Sequence, residues 1–175
     1  MRRQRATPRR SDAARRHSLW GHELWNAARF LAGAMERGEL SVDGCCILEL
    51  GSGGGLPSLT ASLCGARAVL ATDYGTAVDS ALVDALRCNA EALAAQRCAA
   101  GDAAAASGWR CDVAGAPHGW GADVAPLLAA LPPGCAAFDR VVLADLLFNR
   151  TSHRQLLATC QVRRCAVQRA RFFRR

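Results

Sequence analysis

The chain has 175 residues, 51% of them hydrophobic, and a formal net charge of +7. That length fits one domain with a sizeable core, and the absence of an apolar run of 18 residues argues against a membrane span. All 22 basic residues are arginine, with seven in residues 1–16 and six in residues 163–175. The middle holds nine arginines and 14 acidic residues, so composition does not indicate a basic nucleic-acid-binding face.

The two ends are predicted to differ from the middle. We expect a basic disordered tail over 1–16 and an arginine-rich tail over 161–175. The first segment lacks the apolar stretch of a secretory signal. A transit peptide is the alternative, although Pro8 would break its helix. A further alternative is that the two tails bind RNA without sequence specificity.

Nine cysteines are present, an odd number, and no two are spaced as Cys-x-x-Cys. The spacing gives no zinc site. Several cysteines stand in apolar runs, where a small hydrophobic residue packs well. We predict reduced, structural thiols and a cytoplasmic protein.

Apolar periodicity predicts helices that alternate with short strands. The predicted helices cover residues 17–37, 56–64, 76–95 (opened by a capping box at Thr76 and Asp79) and 123–131, and a last one begins near Thr151. The predicted strands cover 45–50, 66–72, 108–113 and 138–144. Such alternation predicts an α/β fold with a doubly wound parallel sheet, whose ligands bind beyond the carboxyl ends of the strands.

A glycine-rich turn follows the first predicted strand. It reads Glu49-x-Gly51-x-Gly53-x-Gly55, and a helix follows it. A dinucleotide fingerprint would place its third glycine at Leu56, so the spacing does not fit one. The pattern resembles the first motif of class I S-adenosylmethionine (SAM) methyltransferases. Glycines there would let the backbone approach a ligand, although a plain loop is the alternative.

Acidic residues also end the second and fourth predicted strands. Asp73 follows Gly51 by 22 residues and could accept both hydroxyl hydrogens of a ribose, or simply cap a turn. Asp145 and Phe148 follow the fourth strand and suit an amine acceptor, since one accepts its hydrogen bond and the other tolerates partial positive charge. A loop aspartate and a core phenylalanine are the alternative.

The tryptophans and histidines give weaker signals. Periodicity alone places each tryptophan (Trp20, Trp25, Trp109 and Trp120) in the core. The histidines show no metal-ligand spacing, and we predict no metal site.

Five segments carry a family resemblance. They are Leu19-Trp-Gly-His-Glu-Leu-Trp-Asn-Ala, Leu48-Glu-Leu-Gly-Ser-Gly-Gly-Gly-Leu-Pro-Ser, Ala71-Thr-Asp-Tyr, Trp120-Gly-x-Asp-x-x-Pro-Leu-Leu and Ala144-Asp-Leu-Leu-Phe-Asn-Arg-Thr-Ser-His. Together they resemble the "family 16" seven-strand protein methyltransferases, most closely the elongation factor methyltransferase 7 group, once labelled nicotinamide N-methyltransferase-like. The resemblance implies a Rossmann-like sheet and SAM as cofactor.

The resemblance also implies roles for residues. The positions that match the family's SAM contacts are Trp25, Gly51, Gly53, Asp73, Trp120 and Ala144, to which the glycine turn adds Glu49 and Gly55. Asp145 and Phe148 match the acceptor-site motif of the family. For Trp25 and Trp120 this replaces the core prediction. The implied substrate is the N-terminal glycine, the adjacent lysine or both on translation elongation factor 1-alpha.

The resemblance covers residues 18–160, within a predicted SAM-binding methyltransferase domain over 17–160. The family continues for further strands, so we expect a C-terminally truncated sheet lacking about three of seven strands, with the fourth at its edge. A monomer that binds neither a membrane nor a specific nucleic acid is expected. Two alternatives stay open beside the tail-mediated RNA binder: a non-catalytic SAM-binding fragment and a small-molecule methyltransferase acting on nicotinamide.

Overall fold

The computed structural model describes residues 23–74, 112–148 and 150–162, together with isolated helical positions between 88 and 99. The tail predicted over 1–16 lies outside the described residues, as do residues 163–175 of the tail predicted over 161–175. Residues 161 and 162 belong to a 3-10 turn, and Val162 is buried in the core. Most of the helix predicted over 76–95, including Thr76 and Asp79, also lies outside the described residues. The helices are α1 (Asn26–Glu36), α2 (Leu56–Leu63), α3 (Ala125–Ala129) and α4 (His153–Thr159), and 3-10 turns cover Arg150–Ser152 and Cys160–Val162. The strands are β1 (Cys46–Leu50), β2 (Ala68–Asp73), β3 (Asp112–Pro117) and β4 (Arg140–Leu143).

These four strands form one parallel sheet in the order β3-β2-β1-β4. Strand β1 lies between two neighbours, and all five of its residues are buried. A strand covered on both faces reads as a continuous apolar run, which is why Cys46–Leu50 was predictable. The order and the parallel pairing confirm the predicted doubly wound, Rossmann-like α/β class.

The two faces of the sheet carry separate cores. Alternate residues of a strand point to opposite faces. Ile47 packs with Met35 of α1 and Ala61 of α2 on one face. Leu48 packs with Leu127 of α3 on the other. This second cluster also includes Leu50, Leu70, Phe138, Leu146, Leu156 and Val162.

The third strand continues further along the chain than the predicted end at residue 113. Residues 108–111 of that prediction lie outside the described residues. The described strand covers Asp112–Pro117, because its pairing with β2 continues until Asp73 faces Pro117. Proline is acceptable there since it ends a strand at the border of the described sheet. Strand β4 is shorter than the predicted 138–144 and borders the sheet on the other side. None of the helices in the described part of the chain has the length and hydropathy that a bilayer span needs.

Cys46 and Cys135 form a disulfide in this structure, so the prediction of reduced cysteines is wrong for that pair. Two hydrogen bonds between Asp139 and Cys46 hold the start of β1 beside the loop before β4. The Asp139 backbone N–H donates to the Cys46 carbonyl at 2.7 Å, and the Cys46 N–H donates to Asp139 Oδ2 at 2.8 Å. Among the described residues, Cys45, Cys64, Cys88 and Cys160 form no disulfide.

Candidate cofactor and acceptor site

The loops that leave the four strands meet around one cavity of about 690 Å³ at the carboxyl edge of the sheet. The sheet order fixes the order of these loops: the loop after β3 lies at one end, then those after β2 and β1, and the loop after β4 at the other end. The segment before α1 also reaches the cavity. The residues that line the cavity include Trp25, Gly51, Gly53, Asp73, His118, Trp120, Ala144, Asp145 and Phe148.

The loop after β1 depends on glycine conformations. Gly51, Gly53 and Gly55 have φ angles of 62°, 49° and 72°, a region that side chains other than Asn and Asp rarely adopt. Space is also limiting at the first position. A Cβ added to Gly51 would stand 2.5 Å from Cδ2 of Leu146, which is buried in the loop after β4. Gly51 therefore lets the β1 and β4 loops touch.

Hydrogen bonds fix the same loop to its neighbour. The Ser52 N–H donates to the Thr72 carbonyl at 2.9 Å, and the Gly55 N–H donates back to the Ser52 carbonyl at 2.7 Å. Asp73 accepts at both oxygens, from the Gly53 N–H at 2.7 Å and from the Tyr74 N–H at 2.6 Å. The carboxylate at the end of β2 thus braces the glycine loop and lines the cavity at the same time.

Glu49 lies behind the cavity wall and does not line it. It is 1% exposed, and its Oε2 accepts from both the backbone N–H (3.0 Å) and the hydroxyl of Ser58, in the first turn of α2. Its Oε1 is buried and has no hydrogen-bond partner within the described part of the chain. Burial raises the pKa of Glu49 to about 7, against the two Ser58 hydrogen bonds that lower it; the nearby Asp73 carboxylate raises it further.

Gly55 likewise stands outside the cavity lining and forms the N-cap of α2. The direct SAM contacts assigned to Glu49 and Gly55 stay predictions. In the structure, both hold the helix that follows the loop.

The loop after β4 differs from the glycine loop in that most of its side chains are exposed. Asp145 has a φ of 58° and, among the described residues other than glycine, it alone has a positive φ. Leu146 beside it is buried, whereas Leu147 and Phe148 are each 66% exposed. A buried leucine thus anchors a loop that holds one strained aspartate and exposed apolar side chains at the cavity mouth. Backbone strain of this kind recurs at functional sites.

The two described tryptophans do not share one environment. Trp25 is 46% exposed and lines the cavity, so the core prediction from periodicity is wrong for it. Trp120 packs against the core cluster on one side and lines the cavity on the other. Trp20 and Trp109 lie outside the described residues.

His118 is a cavity residue that the sequence did not single out. It directly follows β3, and its N–H donates to the Asp73 carbonyl at 2.9 Å. Its side chain is 7% exposed, and burial lowers its pKa. Its position directly after a strand could have identified it. This signal was missed because the predicted third strand ends at residue 113 instead of Pro117.

The charges of the lining favour a cationic ligand. Glu23, Asp73 and Asp145 contribute carboxylates, and none of the described lining residues is an arginine. Anionic phosphates bind free N–H groups at a glycine loop and helix N-terminus. Here protein acceptors take the N–H groups of Ser52, Gly53, Gly55 and, inside α2, Ser58. These residues fit SAM, a sulfonium with a ribose and no phosphate, better than a dinucleotide. No group of side chains in the described ranges could hold a metal ion.

No protein-family model matches the chain. Curated relatives do match. The chain is 43% identical over 141 residues to "Protein N-terminal and lysine N-methyltransferase EFM7" of Eremothecium gossypii, and the match covers 81% of this chain and 49% of the relative. The protein of the same name from Cryptococcus neoformans is 37% identical over 83% of this chain and 44% of its own length. The one from Schizosaccharomyces pombe is 33% identical over 83% of this chain and 51% of its own length.

The fold and the glycine loop define a Rossmann-like α/β domain with a cavity at the carboxyl edge of its sheet. The relatives then confirm the resemblance to the elongation factor methyltransferase 7 group over about four fifths of the chain. The chain spans about half the length of the curated relatives it matches.

Proposed function

We propose that this chain is the SAM-binding part of a protein N-methyltransferase that modifies an N-terminal amine, a lysine amine or both. The observation that carries the proposal is the glycine loop braced by Asp73, which leaves a cavity lined by carboxylates and by no described arginine. The names of the relatives, protein N-terminal and lysine N-methyltransferases, support a protein as the acceptor of the methyl group.

SAM supplies an electrophilic methyl group on a sulfonium when it is bound. The residues that would hold it follow the order of the loops. Asp73 suits the ribose hydroxyls, Gly51 and Gly53 allow close approach of the loop backbone, and Trp25 and Trp120 offer aromatic walls. Ala144, the first residue after β4, contributes a small side chain to the cavity wall.

The acceptor side would position a neutral amine. Asp145 would accept a hydrogen bond from the amine and orient its lone pair, and Phe148 would wall the nitrogen with an aromatic face. Translation elongation factor 1-alpha is the proposed protein substrate. We further propose that the enzyme acts in the cytoplasm as a monomer.

Calorimetric titration of the purified chain with S-adenosylhomocysteine, beside thermal melts with and without it, tests the proposal. We expect micromolar binding and a higher melting temperature, because a ligand that binds only the folded state stabilises it. Methyl transfer to elongation factor 1-alpha from radiolabelled SAM then tests the acceptor. A cooperative melt with no ligand binding would refute the cofactor assignment. Binding without transfer to any protein amine would instead support a non-catalytic SAM-binding role.

A further inference from the structure

The loop after β4 is anchored to the core through Leu146. The Leu146 side chain is buried and belongs to the same core cluster as Leu156 of α4, which is fully buried. The next two side chains, those of Leu147 and Phe148, are mostly exposed, so the core does not hold them. Phe148 nevertheless lines the cavity. Its position therefore depends on how the backbone of the loop is held.

A histidine of α4 makes a hydrogen bond to this backbone. Nε2 of His153, the first residue of α4, lies 3.0 Å from the carbonyl oxygen of Leu147. A carbonyl oxygen has lone pairs and no hydrogen, so Nε2 carries the hydrogen and donates it. A neutral ring and a charged ring can both make this bond, because each can carry a hydrogen at Nε2. The partner atom therefore fixes the direction of the bond.

The bonded carbonyl belongs to the peptide unit that joins Leu147 to Phe148. A peptide unit is planar, so a fixed carbonyl also fixes the N–H and the two α carbons of the same unit. The bond from His153 thus limits the direction in which the Phe148 side chain leaves the backbone. Asp145 lies on the other side of buried Leu146. The core therefore anchors the Asp145 end of the loop, and α4 anchors the Phe148 end.

His153 itself is not part of the cavity wall. Ser152 before it and Gln155 after it line the cavity, whereas His153 does not. Its ring is half-buried. An effect of His153 on a bound acceptor would therefore have to pass through the loop that it holds.

We propose that His153 is a positioning residue for the acceptor amine. Its hydrogen bond to the Leu147 carbonyl holds Phe148 at the wall of the cavity that Asp145 also lines. The proposal rests on the proposed function, since it takes Phe148 to wall the amine. Methyl transfer should then depend on a hydrogen-bond donor at position 153, whereas cofactor binding beside the loops after β1 and β2 should not.

Two substitutions separate the hydrogen bond from the bulk of the ring. His153→Leu removes the donor, whereas His153→Gln places an amide N–H near the position of Nε2. Arg154→Leu is the matched control, because Arg154 is the next residue of α4, is exposed and does not line the cavity. Transfer from radiolabelled SAM to elongation factor 1-alpha gives kcat and KM, and calorimetry gives the affinity for S-adenosylhomocysteine.

The expected loss is confined to transfer. We expect kcat/KM for the acceptor to fall by about tenfold in His153→Leu, because a displaced wall no longer orients the amine. His153→Gln should recover to within about threefold of the wild type, and Arg154→Leu should stay within about twofold. The affinity for S-adenosylhomocysteine should stay within about twofold of the wild type in all three variants.

A merely structural role for His153 predicts a different result. His153→Leu would then have a lower melting temperature and would lose cofactor affinity and transfer together. That result, or transfer at the wild-type rate by His153→Leu, would overturn the inference.

A measurement on the loop needs no methyl transfer. Fluorine NMR of the chain with para-fluorophenylalanine at its five phenylalanines reports each ring, and Phe148→Leu identifies the Phe148 line by removing it. We expect His153→Leu to move this line toward that of the free amino acid and His153→Gln to leave it near its wild-type position. An unmoved line in His153→Leu would overturn the inference while the cofactor assignment stands. No transfer to any protein amine by the folded wild type would instead refute the proposed function, and the fluorine spectrum would still decide whether His153 holds the loop.

Discussion

The two sides of the cavity are built by different means. On the side of β1 and β2, the backbone N–H groups of Ser52, Gly53 and Gly55 all have protein acceptors, and the supporting Glu49 is buried. On the side of β4, buried Leu146 anchors a loop whose other side chains are mostly exposed. The side of β1 and β2, where we propose that the cofactor binds, is therefore shaped by hydrogen bonds within the protein. Substitutions there should therefore alter both the stability of the fold and the affinity for the proposed cofactor. Substitutions in the loop after β4 should mainly alter binding of the proposed acceptor amine.

The contact between the two sides gives the largest expected effect. Gly51→Ala places a Cβ 2.5 Å from Leu146 at a φ of 62°, so either the loop or the leucine must move. We expect the free energy of unfolding to fall by about 3 kcal/mol, because overpacking and a strained backbone add. Urea denaturation measures it. Gly54→Ala, with nothing within 4 Å and no positive φ, should change it by less than about 0.5 kcal/mol. Equal losses in the two variants would show that the β1 and β4 loops are not packed as described.

Glu49 offers a pH-dependent test of the buried side. Its pKa is raised from 4.5 to about 7 in the folded state, so the folded protein binds a proton there that the unfolded chain releases. This contribution is fully present below pH 4.5 and is lost as the pH rises through 7. Between pH 5 and 8 the free energy of unfolding of the wild type should fall by about 2 to 3 kcal/mol, and that of Glu49→Gln should not show this fall. Urea denaturation at the two pH values checks this.

The control for that comparison is Glu36→Gln, at the exposed end of α1, which should keep the wild-type pH dependence. Parallel pH profiles for Glu49→Gln and the wild type would mean that the Ser58 hydrogen bonds outweigh burial and that Glu49 is ionised throughout.

Substitution of Asp73 tests whether its hydrogen bonds to the glycine loop and to Tyr74 support cofactor binding. Asp73→Asn keeps the shape but leaves one of its two N–H partners, Gly53 or Tyr74, facing an amide hydrogen. Affinity for S-adenosylhomocysteine should fall by about ten- to a hundredfold, roughly 2 kcal/mol. Asp123→Asn makes the same change where, among the described residues, the carboxylate accepts the Ala125 N–H, and Asp123 does not line the cavity. If both variants bind as the wild type does, Asp73 has no part in the site.

The sequence predicted the geometry of the β1 and β2 side of the cavity because local spacing determines it. A buried strand, glycines at alternate positions and an aspartate ending the next strand all lie within residues 45–73, and the structure brings Gly51, Gly53 and Asp73 to one cavity. The double role of Asp73 was not readable, since its bond to Gly53 crosses between strands.

Other features depended on long-range contacts. The third strand extends to Pro117 because it follows the register of β2, which no local pattern in that alanine-rich segment reports. The Cys46–Cys135 pair joins residues 89 positions apart, and His118 became a cavity residue only once β3 ended beside it. Tertiary pairing, not propensity, decided each of these.

Substitution of Asp145 gives the smallest expected change in the free energy of unfolding. It also contrasts most clearly with substitutions on the β1 and β2 side of the cavity. Glycine adopts its φ of 58° without a steric penalty, and alanine does not. Asp145→Gly should therefore raise the free energy of unfolding by a few tenths to about 1 kcal/mol, and Asp145→Ala should lower it by a similar amount. Thermal melts of the two variants measure the difference. Opposite signs would mean that the aspartate costs stability where it stands, which fits a carboxylate placed for an acceptor amine. If both variants lost stability equally, the carboxylate itself would be holding the loop, and its assignment to the acceptor would lose the support that backbone strain lends it.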